Sequence, residues 1–207
     1  MIEFSCGQCG KAFRVPELYA GKSAKCKACG FVVTVPVPAP PVEEPAVPAE
    51  RVPMRTRRLR ADAEAMKAAF NGFDVITAVP LAGDPPEAYQ VDFTVDSLER
   101  GPDGKPVPRR AHRIEIQLTS EYPRLAPKCK MITPVFHPNI DPASICVGDH
   151  WTAGERLVDL VIRIGEMLAY QAYNVQSPLD GEAAMWADLN RGLLPTDARE
   201  MRPPGWE

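Results

Sequence analysis

Apolar positions along this chain switch from a period near four, to a period of two, and back again. Over residues 56–71, Leu59, Ala63, Met66, Ala69 and Phe70 recur at helical spacing, and Gly72 stops the run. Four strand-like runs follow, at residues 74–79, 89–98, 112–119 and 128–133. The second and third alternate best, through Val91, Phe93 and Val95, then Ile114, Ile116 and Leu118. Between them the pattern predicts a long loop over residues 99–110, with a turn at Gly101-Pro102-Asp103-Gly104. Residues 134–154 lack periodicity. Residues 155–173 return to helical spacing, with Leu157, Leu160, Val161, Ile164 and Leu168 as the buried stripe. A shorter helix is expected over residues 181–190. Helix, four-strand antiparallel meander, long loop and two helices make an α+β layout. No internal repeat is found along the chain.

Composition divides the chain into three parts. Residues 1–35 hold paired cysteines, and residues 36–53 are dense in proline, at positions 36, 38, 40, 41, 45, 48 and 53. Such a tract stays extended and acts as a semi-rigid linker. Residues 54–207 carry the α+β pattern. The chain of 207 residues suits one full domain with a small appendage. A net charge of −3 gives no overall basic field for nucleic acid. No window approaches the ~20 apolar residues of a membrane span. The start of the chain lacks the basic and apolar regions of a signal peptide, so a cytoplasmic, reducing setting is expected.

In that setting the six cysteines take on meaning. Cys6-x-x-Cys9 and Cys26-x-x-Cys29 are two knuckles, each followed by a glycine, and four thiolates at this spacing suit closed, tetrahedral zinc. Two disulfides or an iron–sulfur centre are the alternatives. The segment resembles a zinc ribbon, stapled by structural zinc because it is too small to fold on apolar burial. Lys11, Arg14, Lys22, Lys25 and Lys27 form a solvated basic face; contact with nucleic acid there would be strongly salt-dependent.

The other two cysteines are isolated. Cys129 lies on a predicted strand and reads as a packed residue. Cys146 lies in a loop stiffened by Pro123, Pro127, Pro134, Pro138 and Pro142, a suitable frame for a reactive thiol. The ordered set Tyr122-Pro123…Pro127, His137-Pro138-Asn139, Cys146 and Trp151, followed by two helices, resembles the ubiquitin-conjugating enzyme family, known by its UBC fold. The resemblance covers most of residues 54–190. It implies that Cys146 accepts the C-terminus of a ubiquitin-like protein from an activating enzyme, as a thioester, and passes it to an acceptor amine. It implies that Asn139 stabilises the oxyanion or braces the loop, and that His137 orders the loop. It sets Ser177 at the gate beside the cysteine, where the family often has an acid. No cofactor is expected at Cys146. Trp151 reads as a packing anchor.

Several features depart from the family. Cys146 and Trp151 are closer than usual, Thr152-Ala153-Gly154 replaces Ser-Pro-Ala, and Arg124 stands at an aromatic position. Conventional ligases grip these loops, so the ligase partner stays open. Arg55, Arg57, Arg58 and Arg60 open the first helix, where the family meets its activating enzyme. The fused ribbon points to a bacterial ubiquitin-like conjugation system. Two other readings use the same residues: a non-catalytic module that holds ubiquitin-like proteins, and a cysteine hydrolase pairing Cys146 with His137 or His150.

Overall fold

The structure is a computed structural model, and it describes residues 1–38, 52–147 and 151–206. The chain divides into two compact units, Met1–Arg51 and Val52–Glu207. The proline-rich linker falls largely on residues 39–51, outside the described residues.

The first unit is two short antiparallel hairpins, β1 (Ile2–Ser5) with β2 (Ala12–Val15), and β3 (Ser23–Lys25) with β4 (Val32–Thr34). Each hairpin turns through a cysteine knuckle, and the two turns have the same hydrogen bonds. Cys6 N–H donates to Lys11 O at 2.8 Å and Gly10 N–H to Cys6 O at 2.9 Å; Cys26 N–H donates to Phe31 O at 2.7 Å and Gly30 N–H to Cys26 O at 2.8 Å. Gly10 and Gly30 sit at φ 74° and 75°, a region that disfavours any side chain. The unit is therefore a local repeat, contrary to the sequence reading. Besides the Cys-x-x-Cys-Gly core, Val15-Pro16 and Val35-Pro36 recur at the same spacing, while the residues between differ.

The second unit starts with α1 (Met54–Phe70) and continues through β5 (Ile76–Ala82), β6 (Ala88–Arg100), β7 (Pro106–Gln117) and β8 (Lys128–Met131). The strands pair antiparallel in chain order. The expected loop over residues 99–110 is mostly strand: Arg100 pairs with Pro106 and Leu98 with Pro108. β8 covers only Ile114–Gln117 of β7, so the Pro106–Pro108 end is a sheet edge. A residue without an N–H removes no ladder bond there, which is why two prolines did not break the strand.

α2 (Leu157–Leu168) lies over the sheet, with nine of its twelve residues buried. It can come close because residue 165 is glycine. A Cβ there would stand 3.3 Å from a Phe93 ring carbon and 3.4 Å from both Ile76 Cδ1 and Met201 Sδ. The helix ends well before residue 173. Gln171 N–H bonds to Glu166 O and Tyr170 N–H to Met167 O, each at 2.9 Å, which is a Schellman closure. Tyr170 occupies the left-handed position at φ 53°, where glycine is usual. The cost for a non-glycine residue is about 1–2 kcal/mol, and burial of its ring offsets it. Tyr170 is 2% exposed, packs 4.7 Å from the His137 ring and donates its hydroxyl to Phe136 O. This closure turns residues 171–177 back toward the loop that holds Cys146. α3 (Gly181–Leu189) follows, capped by Asp180, whose carboxylate accepts from Glu182 N–H and Ala183 N–H.

The chain beyond α3 is part of this unit's packing. Met201 is fully buried. Asp197 N–H donates to Ala169 O, and its carboxylate accepts from Asp96 N–H and from Arg199.

Candidate active site

The loop after β8 folds back on itself through the bridges His137↔Ile140 and Ile140↔Ile145. Asp141 closes the tip by accepting from Ala143 N–H at 2.7 Å and Ser144 N–H at 2.8 Å. Phe136, Ile140, Ile145 and Val147 are buried and root the loop in the core. Cys146 is half-buried between the last two of these. Its N–H donates to Asn139 O at 3.0 Å.

Asn139 is the hub of the loop. Its amide nitrogen donates to Asn174 O at 2.7 Å and more weakly to Ser177 O at 3.4 Å, while its carbonyl accepts from Asn174 N–H at 2.7 Å. Leu179 N–H and Asp180 N–H both reach Pro138 O. The segment turned back by Tyr170 is thus clamped against the segment that carries Cys146.

His137 lies beneath this clamp. Its ring is fully buried, and Nδ1 accepts from Asn139 N–H at 3.1 Å. Burial pushes its pKa down to about 3, against a smaller opposing pull from the Met167 backbone. It is a neutral ring that holds the loop. Cys146, Asn139 and Ser177 instead line one cleft of about 200 Å³, together with Arg163, Met167, Ala172, Tyr173 and Asn174. Asp149 and His150, next to Cys146 in the chain, lie outside the described residues.

Sequence reasoning missed Arg163, Tyr173 and Asn174 as cleft residues. Arg163 did carry a signal: it is a charge inside the apolar run from Leu157 to Ile164. Tyr173 carried none, because it reads as the end of a helix unless the Tyr170 closure is known, and Asn174 lies just past that expected end.

Cys129 is the contrasting thiol. It is buried on β8, and burial pushes its pKa up to about 12. Trp151 donates its indole N–H to Pro123 O at 2.9 Å and packs 5.7 Å from the Tyr122 ring.

The basic start of α1 is partly internal. Arg55 bonds Glu87 and the carbonyls of Leu118 and Thr119. Arg58 bonds buried Asp62 at 2.7 Å, the Tyr122 hydroxyl, Ala153 O and Glu155 O. Only Arg57 and Arg60 of the four are exposed. Arg58 thereby ties α1 to the loop that follows Trp151.

In the first unit, the Sγ atoms of Cys6, Cys9, Cys26 and Cys29 all lie within 4.8 Å of one another. Cys6 and Cys29 sulfurs are 3.8 Å apart, and Cys9 and Cys26 sulfurs 3.7 Å. Zinc–thiolate bonds of about 2.3 Å in a tetrahedron require sulfurs about 3.8 Å apart, so the donor set fits zinc. Backbone N–H groups of Ala28 and Cys29 draw the Cys26 thiol down to about 7.

Residues 86–201 match the family model described as ubiquitin-conjugating enzyme. Over 105 residues the chain is 33% identical to a probable ubiquitin-conjugating enzyme E2 31 of Arabidopsis thaliana, spanning 49% of this chain and 67% of that protein. Over 104 residues it is 31% identical to ubiquitin-conjugating enzyme E2 N of Drosophila melanogaster, spanning 48% and 68%. A solved structure titled "Novel Ubiquitin-Conjugating Enzyme" shares the fold, with a TM-score of 0.51 at 24% identity over 69% of this chain and 94% of that one.

Proposed function

The chain belongs to the ubiquitin-conjugating enzyme family, and from that premise we propose that Cys146 carries a ubiquitin-like protein as a thioester and passes it to an acceptor. One observation carries this reading. Cys146 hangs from Asn139 by a backbone hydrogen bond, at the edge of a cleft whose opposite wall Asn139 also holds. The thiol of a thioester carrier must be both fixed and reachable, and this arrangement supplies both.

Loading is a thiol exchange. The Cys146 thiolate attacks the carbonyl carbon of the thioester on an activating enzyme, and that enzyme's thiol leaves. No nucleotide or metal is needed at Cys146, because the acyl group arrives activated. Asn139 acts chiefly as the brace: both amide hydrogens and the carbonyl already have partners across the clamp. Only the long bond to Ser177 O is weak enough to be given up to a developing oxyanion. A hydrolase pairing of Cys146 with His137 has no support, since that ring is buried, neutral and committed to Asn139.

The ribbon holds zinc through Cys6, Cys9, Cys26 and Cys29, and the metal's role is structural. It forms a docking module for a partner of the pathway. The fused ribbon is what supports a bacterial ubiquitin-like system as the setting. Arg57 and Arg60 are the two arginines of the basic start of α1 left exposed to meet an activating enzyme.

The test is incubation with an activating enzyme, ATP and a ubiquitin-like protein. A thiol-sensitive adduct is expected, absent in Cys146→Ala; an undiminished adduct in that variant would refute the assignment.

A further inference from the structure

The turn that forms one wall of the Cys146 cleft is held from two sides. Ala172, Tyr173 and Asn174 all line the cleft. On one side Asn139 grips the backbone N–H and the carbonyl of Asn174, each at 2.7 Å, and Asn139 O receives the Cys146 N–H at 3.0 Å. On the other side stands Gln171. Its side-chain amide donates to Asp197 O at 2.6 Å and to Arg199 O at 2.8 Å, so both N–H bonds are spent on one short segment.

That segment, residues 194–201, is a strap fixed to both the sheet and α2. The Asp197 carboxylate accepts from Asp96 N–H at 2.9 Å, and Arg199 Nη2 donates to Thr94 O at 2.5 Å, where the β6 register shifts between Thr94 and Ser97. Asp197 N–H donates to Ala169 O at 3.1 Å, and Met201 is fully buried beside Gly165. The end of α2 holds the start of the turn through Glu166 O, which accepts from Gln171 N–H and Ala172 N–H. The Gln171 amide joins that turn to the strap. A line of bonds therefore runs from β6 through Asp197 and Arg199 to Gln171, and from Asn174 through Asn139 to Cys146. Gln171 is exposed, so its side chain adds little apolar burial, and its two bonds serve placement. Placement matters for transfer, because a misplacement of about 1 Å can cost about a hundredfold in rate.

We propose that Gln171 is a positioning residue for thioester transfer: it pins the turn of residues 171–174 to the strap, and so sets the cleft wall against which the Cys146 loop is clamped. Gln171 lies outside the cleft lining and acts through Asn174 and Asn139. The inference rests on the thioester reading of Cys146.

The experiment loads the full chain with ubiquitin bearing a C-terminal mercaptoethanesulfonate thioester and follows the adduct by intact mass over a range of ubiquitin concentrations. Failure of the unsubstituted chain to form an adduct that depends on Cys146 would refute the thioester reading itself. With that adduct established, Gln171→Met, which keeps the reach of the side chain and removes both donors, should lower the maximal loading rate about tenfold and leave the half-saturating concentration unchanged. Gln171→Lys, whose ammonium can donate to the same two carbonyls, should recover most of the rate. Alkylation by iodoacetamide separates positioning from unfolding. In Gln171→Met the Cys146 thiol should alkylate as it does in the unsubstituted chain, and buried Cys129 should stay protected. Loading of Gln171→Met at the unsubstituted rate, or a loss of loading that tracks alkylation of Cys129, would overturn the proposal.

Discussion

The first unit buries Cys6, Cys26 and Val33, with Phe4 and Phe13 leaning on them. The second buries Phe93, Tyr122, Leu59, Met66, Ile114, Ile116 and much of α2. In the first, cysteines are the core, and apolar side chains pad them. In the second, a large apolar core exists without the cysteine that matters, and Cys146 is carried at its margin. The difference teaches that residue type alone says little about a thiol. Four sulfurs at tetrahedral spacing suit a metal that would order a backbone with little apolar core of its own. One sulfur, carried by a braced loop at the margin of a large apolar core, is placed where the proposed chemistry would use it.

Metal removal should separate the two units most sharply. Structural zinc contributes on the order of 10–16 kcal/mol to such small folds. A strong chelator, or Cys26→Ser, should abolish the hairpins of residues 1–38, read as loss of dispersed amide signals. The cooperative unfolding of the second unit should not change. Hairpins that persist without metal would erase the contrast.

Next is the buried tie between α1 and the active-site side of the second unit. Asp62 is 4% exposed and accepts from Arg58 at 2.7 Å and from the Tyr122 hydroxyl at 2.5 Å. Asp62→Ala strands both donors and should cost the second unit about 3 kcal/mol. Denaturant unfolding measures it; the ribbon should be indifferent.

Acid gives a smaller effect. Unfolded His137 protonates near pH 6.5, whereas burial holds the folded ring near 3. The unfolded state therefore binds the proton first, and stability rises with pH. The contribution is fully present above about pH 6.5 and is lost as pH falls toward 3. Between pH 6.5 and 5 the second unit should lose about 2 kcal/mol, with His112, whose pKa burial also lowers, adding in the same direction. A flat stability over that interval would contradict the buried neutral ring. Smallest of all is Arg124→Ala. It breaks an exposed pair with Glu121 and should change stability by less than about 0.5 kcal/mol.

Much of this was legible in the sequence because the signals are local. Alternation in β6 and β7, the stripe on α2 and the doubled Cys-x-x-Cys are short-range patterns, and each led to an element that exists. What stayed hidden depends on contacts distant in the chain. Tyr170 ends α2 without a glycine, because its ring finds His137 and its hydroxyl finds Phe136 O. Pro106 and Pro108 are tolerated because β8 is short. Arg55 and Arg58 looked like a surface cluster, yet apart from Asp62 their partners lie 32 to 97 residues away. At the site, Asn139, Cys146 and Ser177 could be picked out by motif order, while Arg163, Tyr173 and Asn174 join them only through the fold.

The proposed point of attachment is the Cys146 sulfur. The most direct measurement replaces it with serine and maps the product. With an activating enzyme, ATP and a ubiquitin-like protein, Cys146→Ser should trap an oxyester that resists thiols, is cleaved by mild base, and maps by peptide mass spectrometry to residue 146. An adduct mapping to Cys129, to a ribbon cysteine or to a lysine, and forming as well without Cys146, would contradict the account.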